Sequence, residues 1–223
     1  MDAVIKIGGS LAANEMVLRV LCLELSNIAE QHKLLIVPGG GEFADTVRSV
    51  ASRFSVNSWV SHRMALLGMD QYGLLLSNLI PKCRLAYSLS VLEGLSGSGH
   101  AVALLPSRLV FRARSLKASW DVTSDSVAAY VAARLNANKL ILVTDVDGIF
   151  TANPKLNGNA ELLDEVSASG LLELDIRTSV DRFLPNLLLK FGLTCYVVNG
   201  NFPERLNQII ADKPSICTRI IPT

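Results

Sequence analysis

The stretch Val4-Ile5-Lys6-Ile7-Gly8-Gly9-Ser10 decides how the rest of the chain is interpreted. Its apolar residues predict a strand that is buried on both faces, where Lys6 would be costly without an anionic partner. Gly8 and Gly9 carry no side chains, so backbone N–H groups can close on a phosphate, and Ser10 adds a hydroxyl. The alternative is a lysine that snorkels to solvent from an edge strand before an ordinary loop. The other motifs of the chain decide between the two.

The composition of the 223 residues limits the class of protein. Half of them are apolar, which is enough for a full core, and the length fits one large α/β domain or two tightly joined lobes. The net charge of +1 argues against nucleic acid or an anionic membrane as the main partner. No apolar segment approaches the roughly 20 residues that span a bilayer, and the first residues lack the basic start of a signal peptide. We therefore expect a cytoplasmic protein.

The cysteines are far apart in the sequence and lie in apolar surroundings: Cys22, Cys83, Cys195 and Cys217. Neither the spacing of a metal cluster nor that of a disulfide framework is present. We interpret them as reduced core thiols.

A second glycine-rich turn follows the next predicted strand. Leu34-Leu35-Ile36-Val37 is a short buried run, and Pro38-Gly39-Gly40-Gly41 leads directly into a helix that begins near Glu42. Strand, glycines and helix in this order are typical of phosphate-binding loops. A simple tight turn rarely needs three successive glycines, because each one costs conformational entropy on folding without packing anything. The pattern favours anion binding over a purely structural turn.

Residues 62–80 predict a long helix with a broad apolar surface, which is usually core or a subunit interface. We interpret its polar exceptions first as solvated or capping groups; they are His62, Arg63, Asp70 and Gln71. The glycine- and serine-rich residues 93–99 are interpreted as a loop or a lid.

Two aspartates bracket the turn before another helix, which is predicted over residues 127–135. They are Asp121 and Asp125 in Trp120-Asp121-Val122-Thr123-Ser124-Asp125-Ser126. Thr123 or Ser124 can cap the helix, and the helix dipole favours an acid at its start, so a structural role explains one aspartate. Two carboxylates beside a tryptophan indicate a site that positions a lysine or Mg²⁺ around a substrate.

A third motif, Thr144-Asp145-Val146-Asp147-Gly148, follows the strand Lys139-Leu140-Ile141-Leu142-Val143. Ligands of open α/β sheets bind outside the carboxyl ends of the strands, where this loop lies. The loop continues to Lys155 and offers a hydroxyl, carboxylates, an aromatic ring and a lysine. A polar turn closed by Gly148 and Pro154 is the alternative interpretation.

In this order and spacing, the motifs resemble those of the amino acid kinase family from Val4 to near the C-terminus. The resemblance implies a three-layer αβα sandwich with a mainly parallel central sheet. It implies a single domain over residues 1–223, with an acceptor-binding lobe of about residues 1–118 and a nucleotide-binding lobe of about residues 119–223. We also expect a homo-oligomer.

The resemblance also implies roles for individual residues. Lys6, oriented by Asp125, would act on the transferring phosphoryl group. The phosphate-binding residues would be Gly8, Gly9, Ser10, Gly39, Gly40 and Gly41. The nucleotide-binding residues would be Thr144, Asp145, Asp147, Gly148, Phe150, Asn153 and Lys155. ATP would be the donor, and Mg²⁺ would bridge its phosphates with few ligands from the protein.

The chain departs from the family pattern late in the sequence. Many family kinases carry Gly-Gly-Met-x-x-Lys, whose lysine is a second phosphate ligand, whereas residues 178–183 here are Thr-Ser-Val-Asp-Arg-Phe. Phe183 takes the lysine position, which leaves Arg182 or Lys155 as substitutes. Several motifs resemble the family branch that phosphorylates an aminomethylfuran phosphate in methanofuran biosynthesis. The alternatives are a kinase of isopentenyl phosphate or of a nucleotide, and a non-catalytic nucleotide-binding protein with a storage or regulatory role.

The acceptor implied by that branch has a phosphate at one end and an ammonium group at the other. A buried ammonium needs a carboxylate or an aromatic face. The candidates are Asp45, Asp70, Tyr72 and Asp121, and we expect Asp70 first because it interrupts an apolar helix. Its alternative role is that of a capping or interface residue.

Overall fold

The computed structural model describes residues 1–91, 99–113, 122–154, 156–173 and 178–223. Its strands are β1 (Ala3–Ile7), β2 (Leu34–Pro38), β3 (Arg84–Ala86), β4 (Val102–Leu104), β5 (Lys139–Thr144), β6 (Ile149–Phe150), β7 (Leu162–Leu163), β8 (Glu165–Ser167), β9 (Cys195–Asn199) and β10 (Thr218–Ile221). In this part of the chain, eight strands form one sheet in the order β3-β4-β2-β1-β5-β9-β10-β8, while β6 pairs with β7. The loop predicted over residues 93–99 lies outside the described residues except for Gly99.

The sheet is mainly parallel, as predicted. The pairs from β3 to β9 are parallel, and β10 runs antiparallel to β9. Strand β1 lies at the centre, with Lys6 opposite Val37 of β2 and Leu142 of β5. All five residues of β1 are buried, so the prediction of a central strand rather than an edge strand is confirmed.

The helices are α1 (Glu15–Ala29), α2 (Gly41–Arg53), α3 (Ser58–Leu79), α4 (Ser107–Arg112), α5 (Ser124–Arg134), α6 (Ala168–Glu173), α7 (Leu184–Phe191) and α8 (Glu204–Ile210). A short 3₁₀ helix, Gly9–Ala13, connects β1 to α1. Helix α3 begins four residues before the predicted start, because the Asn57 side chain caps it by accepting a hydrogen bond from the Val60 N–H at 3.0 Å. None of the described helices is long and apolar enough to cross a membrane.

Two hydrophobic cores cover the two faces of the sheet. Alternate residues of β1 enter different cores: Ile5 packs with α1 on one face, and Val4 packs with α5 on the other. Lys6 shares the face of Val4, because side chains two residues apart in a strand point to the same side. Its ammonium group is therefore directed toward α5.

Helix α5 lies almost completely inside the protein. Residues 124–132 are all buried, and they include small side chains that let the helix approach the sheet closely. Because α5 starts at residue 124 rather than at the predicted residue 127, Asp125 falls within its first turn. The helix thus brings a carboxylate over the end of the central strand.

The cysteines are free thiols, and Cys22 and Cys195 are buried. Burial raises the pKa of the Cys22 thiol to about 12 and that of the Cys83 thiol to about 11. Both thiols are therefore protonated at neutral pH.

Candidate active site

The two glycine-rich turns meet at the carboxyl ends of β1 and β2. A Cβ atom on Gly9 would lie 2.2 Å from the Gly41 nitrogen, and one on Gly40 would lie 2.3 Å from the Ala44 Cβ. Gly41 has a φ of +54°, which side chains disfavour. Glycine is therefore required here partly for steric reasons, because it lets the two turns touch.

Two of the glycine amides are used within the sheet. The Gly8 N–H donates to the Val143 carbonyl, and the Gly39 N–H donates to the Ile7 carbonyl, both at 2.8 Å. An amide committed to the sheet is not a free donor, so the Gly8 amide, which was predicted to act on a phosphate, has an acceptor within the protein. Gly8 and Gly39 contribute by fixing the turns.

The other three glycines stand where helices begin. Gly9 is the first residue of the 3₁₀ helix, Gly40 is the N-cap residue of α2, and Gly41 is its first residue. The first N–H groups of a helix have no acceptor within it, and the helix dipole favours an anion there. Gly9, Gly40 and Gly41 also line one cavity with Ser10, so the turns can present amides to a phosphate from two sides.

Lys6 and Asp125 form a buried ion pair beside these turns. The Lys6 Nζ lies 2.7 Å from the Asp125 Oδ1, and the two side chains are 10% and 6% exposed. The other carboxylate oxygen, Oδ2, accepts a hydrogen bond from the Asp181 backbone N–H at 3.0 Å. Oδ1 accepts no hydrogen bond from any other described residue, so it faces the lysine alone.

Asp181 is a partly buried carboxylate at this site that sequence reasoning missed. Its Oδ2 accepts hydrogen bonds from the N–H and hydroxyl of Thr123 and from the Ser126 N–H, at 2.9–3.0 Å. Its Oδ1 accepts from the Ser126 hydroxyl at 2.6 Å and from the N–H groups of Phe183 and Leu184 at 3.1 and 2.8 Å. Burial and the neighbouring charge of Asp125 raise the Asp181 pKa, although the Ser126 and Thr123 hydrogen bonds oppose the rise.

Thr123 occupies the N-cap position of α5, as predicted, but its side chain does not cap the helix. The hydroxyl instead donates to Asp181, and the Asp181 carboxylate accepts the N–H groups at the helix start. The prediction of a Thr123 or Ser124 side-chain cap is therefore wrong. The cap comes from a residue 55 positions away from Ser126.

A cavity of about 390 Å³ lies against the two glycine turns. Its apolar wall includes Ala65, Leu66 and Met69, and its polar residues include Glu42, Asp45, Arg48 and His62. His62 is buried, so the sequence-based interpretation of this residue as a solvated or capping group missed its place in the cavity wall. We call this space the first cavity.

Two further cavities continue from it. The middle cavity, of about 1070 Å³, shares Asp45, Arg48 and Thr123 with the first and is also lined by Asp125 and Arg182. The third cavity, of about 350 Å³, shares Thr178 and Ser179 with the middle one and lies against the loop after β5. Neighbouring cavities thus share lining residues, and Asp125 lines the middle one.

The predicted nucleotide-binding residues of the loop after β5 fall into two groups. The third cavity is lined by Thr144, Asp145, Gly148, Phe150 and Asn153. The Asp145 Oδ1 accepts hydrogen bonds from the Ser10 and Thr144 hydroxyls at 3.2 and 3.3 Å, which joins this loop to the first glycine turn. Lys155 lies outside the described residues.

Asp147 is not among the described residues that line the third cavity. Its Oδ1 accepts a hydrogen bond from Asn199 Nδ2 at 3.1 Å and lies 2.5 Å from Arg205 Nη1 in an ion pair. These contacts tie the loop to the C-terminal part of the sheet. These contacts give Asp147 a structural role, and its nucleotide contact stays a prediction.

The predicted acceptor-binding residues are also separated. Asp70 accepts hydrogen bonds from the N–H of Ser107, at 3.0 Å, and from its hydroxyl, so it caps α4; burial raises its pKa while these bonds oppose the rise. Tyr72 is fully buried, and its hydroxyl donates to the Gly8 carbonyl at 3.4 Å. Both side chains thus have partners within the protein, and neither is among the described residues that line the first cavity.

Of the remaining acceptor candidates, Asp45 lines both the first and the middle cavity. Its exposed carboxylate pairs with Arg48, one helical turn further along α2. Asp121 and the neighbouring Trp120 lie outside the described residues. Asp45 is therefore the predicted candidate that the structure brings to the cavity.

The sequence profile of the amino acid kinase family matches residues 1–189. The chain therefore belongs to the amino acid kinase family and is a kinase of that family. It is 34% identical over 220 residues to [5-(aminomethyl)furan-3-yl]methyl phosphate kinase of Methanocaldococcus jannaschii, covering 98% of this chain and 97% of the relative. It is 26% identical to uridylate kinase of Pyrococcus abyssi, covering 86% of each chain.

A solved structure shows the same fold. The crystal structure of uridylate kinase from Archaeoglobus fulgidus superposes with a TM-score of 0.78 at 21% sequence identity, over 99% of this chain and 100% of the other. The α/β architecture predicted from the motifs is confirmed.

Proposed function

We propose that this chain transfers the γ-phosphoryl group of ATP to the phosphate of a small molecule. The observation that carries the proposal is the buried Lys6–Asp125 pair, whose aspartate lines the middle of three cavities that share lining residues. The first cavity would hold the acceptor and the third would hold the nucleotide. Both lobes predicted from the sequence would thus contribute, with the reacting groups meeting in the middle cavity.

Transfer onto a phosphate oxygen requires no strong base, because the acceptor is already anionic. The protein must mainly neutralise charge and align the groups. Lys6 would supply the charge, and the amides of Gly9, Gly40 and Gly41 would act as fixed donors around the phosphates. Arg182, which lines the middle cavity, is our substitute for the second lysine of the family pattern.

Magnesium would accompany ATP in this reaction. Mg²⁺ usually keeps several water ligands and is held through substrate phosphates and one or two carboxylates. Among the described residues, no group of three or more histidine, cysteine, aspartate or glutamate side chains is placed to hold a metal ion. When bound, Mg²⁺ would neutralise charge on the ATP phosphates.

For the acceptor we propose [5-(aminomethyl)furan-3-yl]methyl phosphate. The support is the relative of M. jannaschii, together with a first cavity that combines apolar walls with the carboxylates of Glu42 and Asp45. The apolar wall suits a small ring, and a carboxylate suits an ammonium group. Asp45 would contact the ammonium group.

The test is an acceptor panel with ATP and Mg²⁺, in which ADP release and the phosphorylated product are both measured. We expect the aminomethylfuran phosphate to give a kcat/KM at least about tenfold above those for UMP and isopentenyl phosphate, a difference of about 1.4 kcal/mol. A clear preference for UMP or isopentenyl phosphate would contradict the proposed acceptor but would still support a phosphate kinase activity. Turnover with none of them would remove the function.

The same panel tests the role of Asp45. We expect Asp45→Asn to raise KM for the aminomethylfuran phosphate while KM for UMP hardly changes, because UMP has no ammonium group. Equal changes for the two acceptors would show that Asp45 acts only through its pair with Arg48.

A further inference from the structure

We propose that Asp181 is a positioning residue for phosphoryl transfer, which holds Asp125, and through it the Lys6 ammonium, in the reactive geometry. The inference rests on the proposed function. It assigns a role in that reaction to a residue that lines the middle cavity and whose carboxylate is engaged by hydrogen bonds within the protein.

The Asp181 carboxylate joins the starts of two helices. Thr123 and Ser126 belong to the start of α5, and Phe183 and Leu184 belong to the start of α7. Neither N-cap residue, Thr123 or Phe183, caps its helix with its own side chain. One carboxylate therefore accepts the free N–H groups of both helices, where the helix dipoles also favour a negative charge.

The same carboxylate is held more tightly than a simple cap requires. A carboxylate offers about four lone-pair sites, and Asp181 accepts six hydrogen bonds from four residues. The side chain cannot rotate without breaking several of these bonds. The peptide group of residue 181 is fixed as a result.

That fixed peptide group acts directly on the ion pair. The Asp181 N–H donates to the Asp125 Oδ2 at 3.0 Å, which leaves Oδ1 turned to Lys6 at 2.7 Å. A shift of residue 181 would rotate the Asp125 carboxylate and move the ammonium that it holds. Displacements of about 1 Å at a transfer site can cost about a hundredfold in rate.

The position of Asp181 also differs from that of an ordinary cap. Burial and then the neighbouring charge of Asp125 raise the Asp181 pKa, so a second carboxylate here is unfavourable. Asp70 provides the contrast within the same chain, because it caps α4 through Ser107 and is not among the residues described on the three cavities. Both aspartates cap a helix. We assign to Asp181 the additional role of positioning Asp125.

The experiment compares Asp181→Asn with the matched control Asp70→Asn in the full chain. An asparagine keeps the size of the side chain but loses the charge and one acceptor oxygen. We expect Asp181→Asn to lower kcat by at least about thirtyfold with both KM values within about threefold, and we expect Asp70→Asn to keep kcat within about twofold. Both variants should lower the melting temperature. Equal kcat values in the two variants would overturn the proposal.

Two further measurements separate the possible failures. A crystal structure of Asp181→Asn should show the Lys6 Nζ more than about 3.5 Å from the Asp125 Oδ1, and an unchanged pair would overturn the proposal. This distance can be measured even if the unmodified chain has no turnover. The absence of turnover would contradict the proposed function but not the positioning role of Asp181. If Asp181→Asn does not fold, Ser126→Ala removes one donor; a lower kcat at constant KM supports the role, and an unchanged kcat contradicts it.

Discussion

Two ion pairs stand near the carboxyl ends of the central strands, and they differ in burial and in what surrounds them: Lys6–Asp125 is buried, whereas the Asp147 side chain of the second pair is 37% exposed. Lys6 and Asp125 are 2.7 Å apart, and Asp125 lines the middle cavity. Arg205 and Asp147 are 2.5 Å apart, and neither is among the residues described on the three cavities. Both pairs combine a basic residue with an aspartate, yet only the first includes a residue described on a cavity wall.

The neighbours of each pair explain the difference. The Arg205 guanidinium lies 4.1 Å from the centre of the Phe202 ring, and Asp147 also accepts a hydrogen bond from Asn199. The charges of this second pair are therefore satisfied by the protein itself. The Lys6 ammonium has three N–H donors, and Asp125 is its one ion-pair partner among the described residues, so the first pair keeps donors for an anion. A buried charge indicates function when its partners within the protein are incomplete and a cavity adjoins it.

The largest expected effect in this comparison is that of Lys6→Ala. We expect turnover to fall by at least about a hundredfold, which corresponds to about 3 kcal/mol of transition-state stabilisation from one preorganised charge. The measurement is kcat with saturating ATP and acceptor, and circular dichroism verifies the fold.

Asp125 would be left buried and unpaired in that variant, which also destabilises the protein. The double variant Lys6→Met with Asp125→Asn is the control, because it removes both charges together. We expect it to recover stability but not turnover. Near-normal turnover in either variant would show that Lys6 has no phosphate role.

A smaller effect on activity is expected when the second pair is broken. Arg205→Met should lower the free energy of unfolding by about 2 kcal/mol, because it removes the ion pair and leaves Asp147 without that partner. We expect kcat to stay within about threefold of the unmodified value. Urea denaturation and the kinase assay measure the two quantities. A loss of kcat comparable to that of Lys6→Ala, at unchanged stability, would contradict the comparison.

The smallest effect separates the two aspartates of the loop after β5. Asp145→Asn should raise the dissociation constant of ATP about fivefold, or about 1 kcal/mol, because Asp145 lines the third cavity and fixes Ser10. Asp147→Asn should mainly lower stability. Calorimetric titration with ATP and thermal unfolding of both variants measure this. Equal losses of ATP affinity in the two variants would show that Asp147 also contributes to nucleotide binding.

Much of the fold followed from the sequence because its strongest signals are local. A strand that ends in glycines needs no distant information, and Lys6 in a buried run already required an anion. The partner was also predictable, because the family resemblance supplied Asp125. The starts of α3 and α5 were less accurate, since Asn57 and Asp181 set them through hydrogen bonds that periodicity does not show.

The contacts that the sequence did not predict depend on what packs opposite each side chain. Helical spacing places Asp70 and Tyr72 on α3 but does not reveal that Ser107 and the Gly8 carbonyl face them. Asp145 and Asp147 lie in one loop, where no regular periodicity predicts the direction in which each side chain points. Asp181 binds groups from two helices, and its contact with Asp125 spans 56 positions, so no sequence window contains the arrangement.

The central place of β1 has a consequence for the order in which the chain assembles during synthesis. Strand β2 reaches its partner early, whereas β5, which pairs Lys139 with Ala3, is made much later, and non-local pairings of this kind form slowly. Until α5 arrives, burying Lys6 would cost several kcal/mol, so the nascent β1–β2 pair must leave that ammonium in water. We therefore expect the sheet to close and the Lys6 ammonium to be buried in the same late event.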